Sequence, residues 1–199
     1  SFGSFPTTPH VLEEFQPSVD VFRNFNARKI VYKAVSSDEK LLSVYTNLIK
    51  EVIVPHLKAL LVAEENEGDK KHTFYYQYPP TLRIQPGPSK MHGRSHRDAE
   101  YGHQCGELNF WMPLSYYSLT QTTLFVEDSP DSKKFHPLMI EYGNIGKFHG
   151  TLCHHYAPCN KSMCTRVSLD FRVGISDYFD PEWMLQGIKA QHGRKSITM

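Results

Sequence analysis

Residues 165–173 alternate strictly, with Arg166, Ser168, Asp170 and Arg172 on one side and Val167, Leu169, Phe171 and Val173 on the other. A period of two is that of a β-strand, whose successive side chains leave opposite faces. The apolar set has to be covered by a second layer, which rules out a lone exposed sheet. The polar set is either the wet side of an edge strand or the lining of a barrel interior.

The rest of the chain restricts that choice. Residues 73–78, 82–85, 107–114, 122–126 and 138–142 are also β-prone, and Pro, Gly, Asp and Ser clusters separate them. Short strands without long helices between them predict a mostly β fold with buttressing helices, a sandwich or jelly-roll barrel. The buttressing comes earlier in the chain. Ser36 and Glu39 match a capping box, and Leu41, Tyr45, Leu48 and Val52 recur at helical spacing with Leu42, Ile49 and Ile53 beside them. Pro55 is expected to end or kink this helix, with another turn or two through Leu57, Leu60 and Leu61. A short helix is expected from Asp180 as N-cap and Pro181 as first residue, followed by a polar, frayed tail over 191–199. Residues 1–17, with Pro6, Pro9 and Pro17, suggest an extended arm lying on the body.

With 199 residues, 40% of them hydrophobic, the chain can bury one core without staples, and a single domain over 1–199 is expected. Its parts would be an arm and supporting helices over 1–72, a β core over 73–178, and a C-terminal helix and tail over 179–199. A net charge of +1 provides no broad electrostatic footprint for nucleic acid or an anionic membrane, which favours a small-molecule partner. No stretch reaches the roughly 18 apolar residues of a membrane span. The four cysteines, Cys105, Cys153, Cys159 and Cys164, fit a reducing, cytoplasmic setting in a chain of this length. Ser1 in place of an initiator Met leaves an upstream targeting segment open.

His96-Arg97-Asp98 places an imidazole and a carboxylate two residues apart, on one face of an extended segment. With a distant second imidazole, such a pair makes a facial site for iron(II) with open coordination positions. Alone the triplet is also an ordinary polar loop. His149, His154 and His155 compete for the distal place, and of the adjacent pair only one can face inward on a strand. Arg166 and Ser168, two residues apart on the polar face, would make a receptor for a carboxylate, a two-pronged charged contact plus a hydroxyl.

Taken together, 96–98, Gly106-Glu107-Leu108-Asn109-Phe110-Trp111-Met112-Pro113-Leu114, Cys153-His154-His155-Tyr156 and 165–173 resemble the 2-oxoglutarate- and iron(II)-dependent oxygenases. Within them the chain is similar to the family named after the streptomycin-biosynthesis protein StrG. The resemblance runs from about residue 82 to 173. It implies a double-stranded β-helix, a jelly-roll and cupin-like fold. It also implies iron held by His96, Asp98 and His155, and the distal carboxylate of 2-oxoglutarate held by Arg166 and Ser168. The separation of eleven positions between His155 and Arg166 matches that superfamily and selects His155. The implied activity is that of a dioxygenase, a hydroxylase acting on a small polar metabolite while dioxygen converts 2-oxoglutarate to succinate and carbon dioxide. Desaturation and cyclisation are its variants. One departure concerns the stretch Glu127-Asp128-Ser129-Pro130-Asp131, where the family tends to Glu-Ser and then Pro-Gly. That loop is expected to border the substrate.

Several polar residues would share the interior. Asn109 is expected either to bond the cosubstrate or to join a structural network, and Glu107 either to meet a cationic substrate group or to do the same. Arg83 and Gln85 form a similar pair, with Trp111 on the face of Glu107 and Asn109. Arg172 either pairs with Asp170 or reaches the site. His92 and His103 read as mouth residues, and Tyr101, Tyr116 and Tyr117 as walls of the entrance or as packing. Two rival readings remain. One is a zinc knuckle of Cys153, His154 or His155, Cys159 and Cys164, although five and four residues separate the cysteines and no Cys-x-x-Cys is present. The other is a cupin-like metal protein or isomerase that does not use 2-oxoglutarate.

Overall fold

In a computed structural model of the chain, residues 12–15, 25–65, 70–89, 93–183 and 193–199 are described. Helix α1 covers Phe25–Ser37 and α2 covers Glu39–Leu48, and a π-helical turn over Ile49–Ile53 leads into α3, Val54–Glu65. The sequence reading missed α1 because its apolar residues form no stripe: Ile30 and Tyr32 are each 48% exposed, while Val35 is buried. The cap of α2 also differs from expectation. The Asp38 carboxylate accepts the Leu41 N–H at 3.0 Å, whereas Ser36 and Ser37 close α1 by donating to the Lys33 carbonyl at 3.0 and 2.8 Å. Pro55 does not stop the helix. It lacks an N–H, and its ring would crowd the carbonyl four residues back, so the preceding turn widens and the Val54 N–H reaches the Ile49 carbonyl.

The strands are β1 (Thr73–Gln77), β2 (Thr81–Gln85), β3 (Glu107–Pro113), β4 (Phe125–Glu127), β5 (Phe135–Pro137), β6 (Gly146–Phe148), β7 (His155–Tyr156), β8 (Arg166–Ile175) and β9 (Arg194–Thr198). The larger sheet is antiparallel in the order β6-β3-β8-β1-β9, with β2 pairing the first half of β8. A smaller sheet has the order β5-β4-β7. The long strand β8 is the spine, since β3, β1 and β2 all pair with it.

Two expected elements move. Residues 138–142 form no strand; β5 precedes them, and Leu138 and Ile140 turn over Gly146, where a Cβ would lie 2.9 Å from Ile140 Cγ1. The frayed tail is corrected too. Arg194–Thr198 pairs along the whole of β1, which leaves fewer ladder groups of that strand open to solvent. The helix expected from Asp180 falls mainly on residues outside the described ones, and at its start Asp180 Oδ1 accepts the Glu182 N–H at 2.9 Å. Most of the expected arm, 1–11 and 16–17, also lies outside them.

The core lies between the helices and one face of the larger sheet. Tyr45, Ile49, Ile53, Val54, Leu57 and Leu61 pack on Phe74, Tyr76, Phe110, Leu169, Phe171, Val173 and Ile175. Phe171 sits opposite Phe110 across the β3–β8 ladder, their rings stacked at 5.4 Å, and Tyr45 meets it edge-on at 5.3 Å. With this face buried, the odd-even rule turns Arg166, Ser168, Asp170 and Arg172 to the other side. Phe171→Ala is expected to cost about 3–5 kcal/mol in urea unfolding. Val52→Ala, at a stripe position that the fold leaves 49% exposed, is expected to stay within about 0.5 kcal/mol.

Candidate metal centre

His96 and Asp98 are carried by a short extended segment that ends in a 3-10 turn over Asp98–Tyr101. Arg97 is extended at φ −101° and ψ 146°, which sets its two neighbours on a common side. Its own side chain reaches Asp131 at 3.2 Å, and the Glu100 carboxylate accepts its N–H at 2.9 Å. The backbones of His96 and His155 exchange two hydrogen bonds, of 3.2 and 2.9 Å, and this bridge joins the triplet to the smaller sheet. One ligand atom from each of His96, Asp98 and His155 lies within 4.8 Å of the others.

Each group is aimed by a partner. His96 Nδ1 lies 2.6 Å from the Arg94 carbonyl and His155 Nδ1 lies 3.3 Å from the Cys153 carbonyl. As both acceptors are carbonyls, each Nδ1 carries the proton and each Nε2 is left as the free donor atom. Asp98 is divided in the same way. Its Oδ2 accepts from Asn109 Nδ2 at 2.6 Å and from Arg172 Nε at 2.7 Å. Its Oδ1 faces His96 Nε2 at 3.9 Å and His155 Nε2 at 3.7 Å.

Burial penalises the Asp98 carboxylate, but the charge and hydrogen bond of Arg172, with His155 and Asn109, outweigh it and hold its pKa well below the ordinary range. Burial pushes the His155 imidazole down to about 4, against the pull of Asp98. At neutral pH the site therefore presents one carboxylate and a neutral imidazole at its buried end. That donor set fits iron(II).

The other competing histidines are engaged elsewhere. His154 Nδ1 lies 3.1 Å from Glu127 Oε2, and His149 Nδ1 lies 2.9 Å from Thr151 Oγ1. Glu127 also accepts the backbone N–H groups of His154 and Lys133, which pull its carboxyl down to about 2. Among the described residues no cysteine joins a metal-ligating group, so the geometry does not support the zinc reading.

The polar face of β8 continues from this centre. Arg172 is paired with Asp98 and with Gln77, at 3.0 Å, instead of with Asp170. Asp170 takes Arg83 at 3.0 Å, and Arg83 is half-exposed directly across from Ser168. Further along, the Arg166 Nε and Nη1 and the Ser168 hydroxyl are buried with no hydrogen-bond partner. Burial and the like charge of Arg83 draw the Arg166 guanidinium down to about 10, against the pull of Asp170.

The remaining polar residues of the interior have partners within the chain. Asn109 does not project toward a ligand, because Asp98 and the Gly150 N–H, at 3.0 Å, engage its amide. Glu107 is buried and holds His103 at 2.5 Å and Arg194 at 2.7 Å. His103 is buried on the wall of a cavity that it shares with Glu107. Gln85 is buried, its amide donating to the Pro158 carbonyl at 2.6 Å. Trp111 is buried opposite Asp170. Tyr101 meets the His96 ring edge-on at 5.1 Å, Tyr116 and Tyr117 are exposed, and His92 lies outside the described residues. Gln77, Gly150 and Arg194 were not legible as site residues, since each acts through a partner distant in sequence.

Arg172→Met tests the pair that holds Asp98. A carboxyl with a lowered folded-state pKa contributes stability that is complete above its unfolded value, about 4, and lost as pH falls below it. The variant is expected to lose about 3–5 kcal/mol at neutral pH. Urea unfolding should show that deficit shrinking as pH falls to about 3, whereas a deficit independent of pH would remove the ion pair as its cause.

No family model matches the chain. Over 114 residues it is 32% identical to the streptomycin biosynthesis protein StrG of Streptomyces griseus, an overlap of 57% of this chain and 53% of that protein. The chain thus spans about half the length of that curated relative. The apo structure of the non-heme monooxygenase ThoJ superposes with a TM-score of 0.50 at 14% identity, covering 86% of this chain and 74% of that one. A prolyl-4-hydroxylase of Pseudomonas putida superposes with a TM-score of 0.47 at 12% identity, covering 79% and 83%. The likeness to ThoJ shows a shared fold, mostly β with flanking helices.

Proposed function

We propose that the chain is a single-domain iron(II)- and 2-oxoglutarate-dependent oxygenase that hydroxylates a small polar metabolite. The observation that carries the reading is Arg166, a buried guanidinium whose Nε and Nη1 have no partner, two residues from an equally unpartnered buried hydroxyl, Ser168. Buried guanidinium N–H groups without acceptors are costly, and a carboxylate placed against them would remove that cost. Asp170, on the same strand face, attracts Arg166 but makes its ion pair with Arg83, and Asp98 is held by Arg172. The missing acceptor is then a ligand, and the distal carboxylate of 2-oxoglutarate has the charge and the two-pronged shape.

His96, Asp98 and His155 would hold the iron, and the grouping of their donor atoms supports this. The bound metal and cosubstrate supply the oxidising chemistry: dioxygen and 2-oxoglutarate yield succinate and carbon dioxide as one oxygen atom enters a C–H bond of the substrate. The chain's own part is to fix the two imidazole tautomers, keep Asp98 ionised and anchor the far carboxylate. The helix-backed sheet and the smaller sheet support closure into a double-stranded β-helix. The relative's role in streptomycin biosynthesis supports a place near the StrG family and a polar metabolite as substrate.

Oxygen-dependent succinate formation by the iron-loaded protein, scanned over amino acids, guanidino compounds and sugar derivatives, is the direct test. Arg166→Ala is expected to weaken 2-oxoglutarate binding about 30-fold or more while metal binding is retained. An iron-loaded protein with no affinity for 2-oxoglutarate would overturn the proposal.

A further inference from the structure

A ring of hydrogen bonds closes around Asp98. Its backbone N–H donates to the Gly150 carbonyl at 2.8 Å. The Gly150 N–H donates to Asn109 Oδ1 at 3.0 Å, and Asn109 Nδ2 returns to Asp98 Oδ2 at 2.6 Å. Backbone and side chain of one residue are thereby tied to the same amide. Arg172 Nε occupies Oδ2 from a second direction at 2.7 Å, and Gln77 Oε1 holds that guanidinium at 3.0 Å.

Gly150 has a specific place in this ring. A Cβ there would lie 2.7 Å from Asn109 Cγ, Nδ2 and Oδ1, inside any tolerable contact. The amide therefore rests on the glycine backbone, and any side chain at this position would push it off Asp98. Asn109 is itself fixed from behind, because it sits on β3 opposite Arg172 on β8 and Phe148 on β6.

We infer that Gly150, Asn109 and Arg172 are positioning residues that block Asp98 Oδ2 and so make the carboxylate a one-oxygen ligand through Oδ1. A carboxylate free to bind through both oxygens would take a further coordination position. Held to one oxygen, together with two imidazoles, it leaves three positions of an octahedral ion open. The inference rests on the metal-site reading above, and its distinctive content is that a side chain at position 150 would disturb Asp98 through Asn109.

The test uses the full chain with Co(II) as probe, reading affinity and visible d–d spectrum, and circular dichroism to check the fold. Gly150→Ala and Asn109→Ala are each expected to weaken Co(II) about 10–100-fold and to alter the spectrum. In the double variant, Asn109→Ala empties the space that the new methyl group needs. Gly150→Ala should then add no further loss, and the pair should be strongly non-additive. Additive losses, or single variants with wild-type affinity and spectrum, overturn the inference. His96→Ala separates the two levels. If it abolishes Co(II) binding while the ring variants bind as wild type does, the ring has no role and the metal site stands. If it leaves binding unchanged, the metal site falls and the inference with it. Should Gly150→Ala fail to fold, Asn109→Ala and Asn109→Ser keep the decision on affinity and spectrum.

Discussion

The buried ion pair between Asp98 and Arg172 connects the halves of this molecule. Asp98 belongs to a turn beside the smaller sheet, and Arg172 to the central strand of the larger one. Removing either partner would strand a charge in a site where neither is exposed to water, so the two layers cannot shift relative to each other without a large penalty. The pair extends outward through Gln77, whose carbonyl accepts the Tyr45 hydroxyl at 2.8 Å. A line of polar contacts thus runs from the helical layer to the candidate metal ligand.

The strand β8 gives this arrangement its geometry. One face of it is core, with Phe171 between Phe110 and Tyr45, and the other carries four polar side chains into the interior. The four divide into three groups. Arg172 orients Asp98, Asp170 takes Arg83, and Arg166 with Ser168 stands open to an anion. Because side chains of a strand recur about every 7 Å on a face, the pairing of Arg172 with Asp98 also fixes where Arg166 stands relative to that carboxylate. The open guanidinium and the arginine that holds Asp98 are therefore carried by one strand.

The fold was legible where the period was strong. Residues 73–77, 81–85, 107–113 and 166–175 alternate or are rich in aromatic and β-branched residues, and they became strands close to where they were expected. Legibility failed where burial did not leave a pattern. Helix α1 shows apolar residues to solvent, residues 138–142 are apolar yet turn over a glycine, and residues 194–198 are polar yet form a strand by completing an edge. Cross-strand pairing is a property of two segments, and neither need display it alone.

The sequence by itself determined the donor types: an imidazole and a carboxylate two apart, a distant imidazole, and an Arg and a Ser on one strand face. Spacing along an extended chain constrains which face a side chain takes, and that is a local property. Only the tertiary structure decided how these groups are employed. It turned His154 to Glu127 and His155 to Asp98, withdrew Asn109 and Glu107 into internal networks, and left Arg166 Nε and Nη1 without a hydrogen-bond partner. The physical reason is that a buried polar group is defined by its partner. Those partners, Gly150 for Asn109, Arg194 for Glu107 and Gln77 for Arg172, come from strands and turns that meet only when the sheet is assembled.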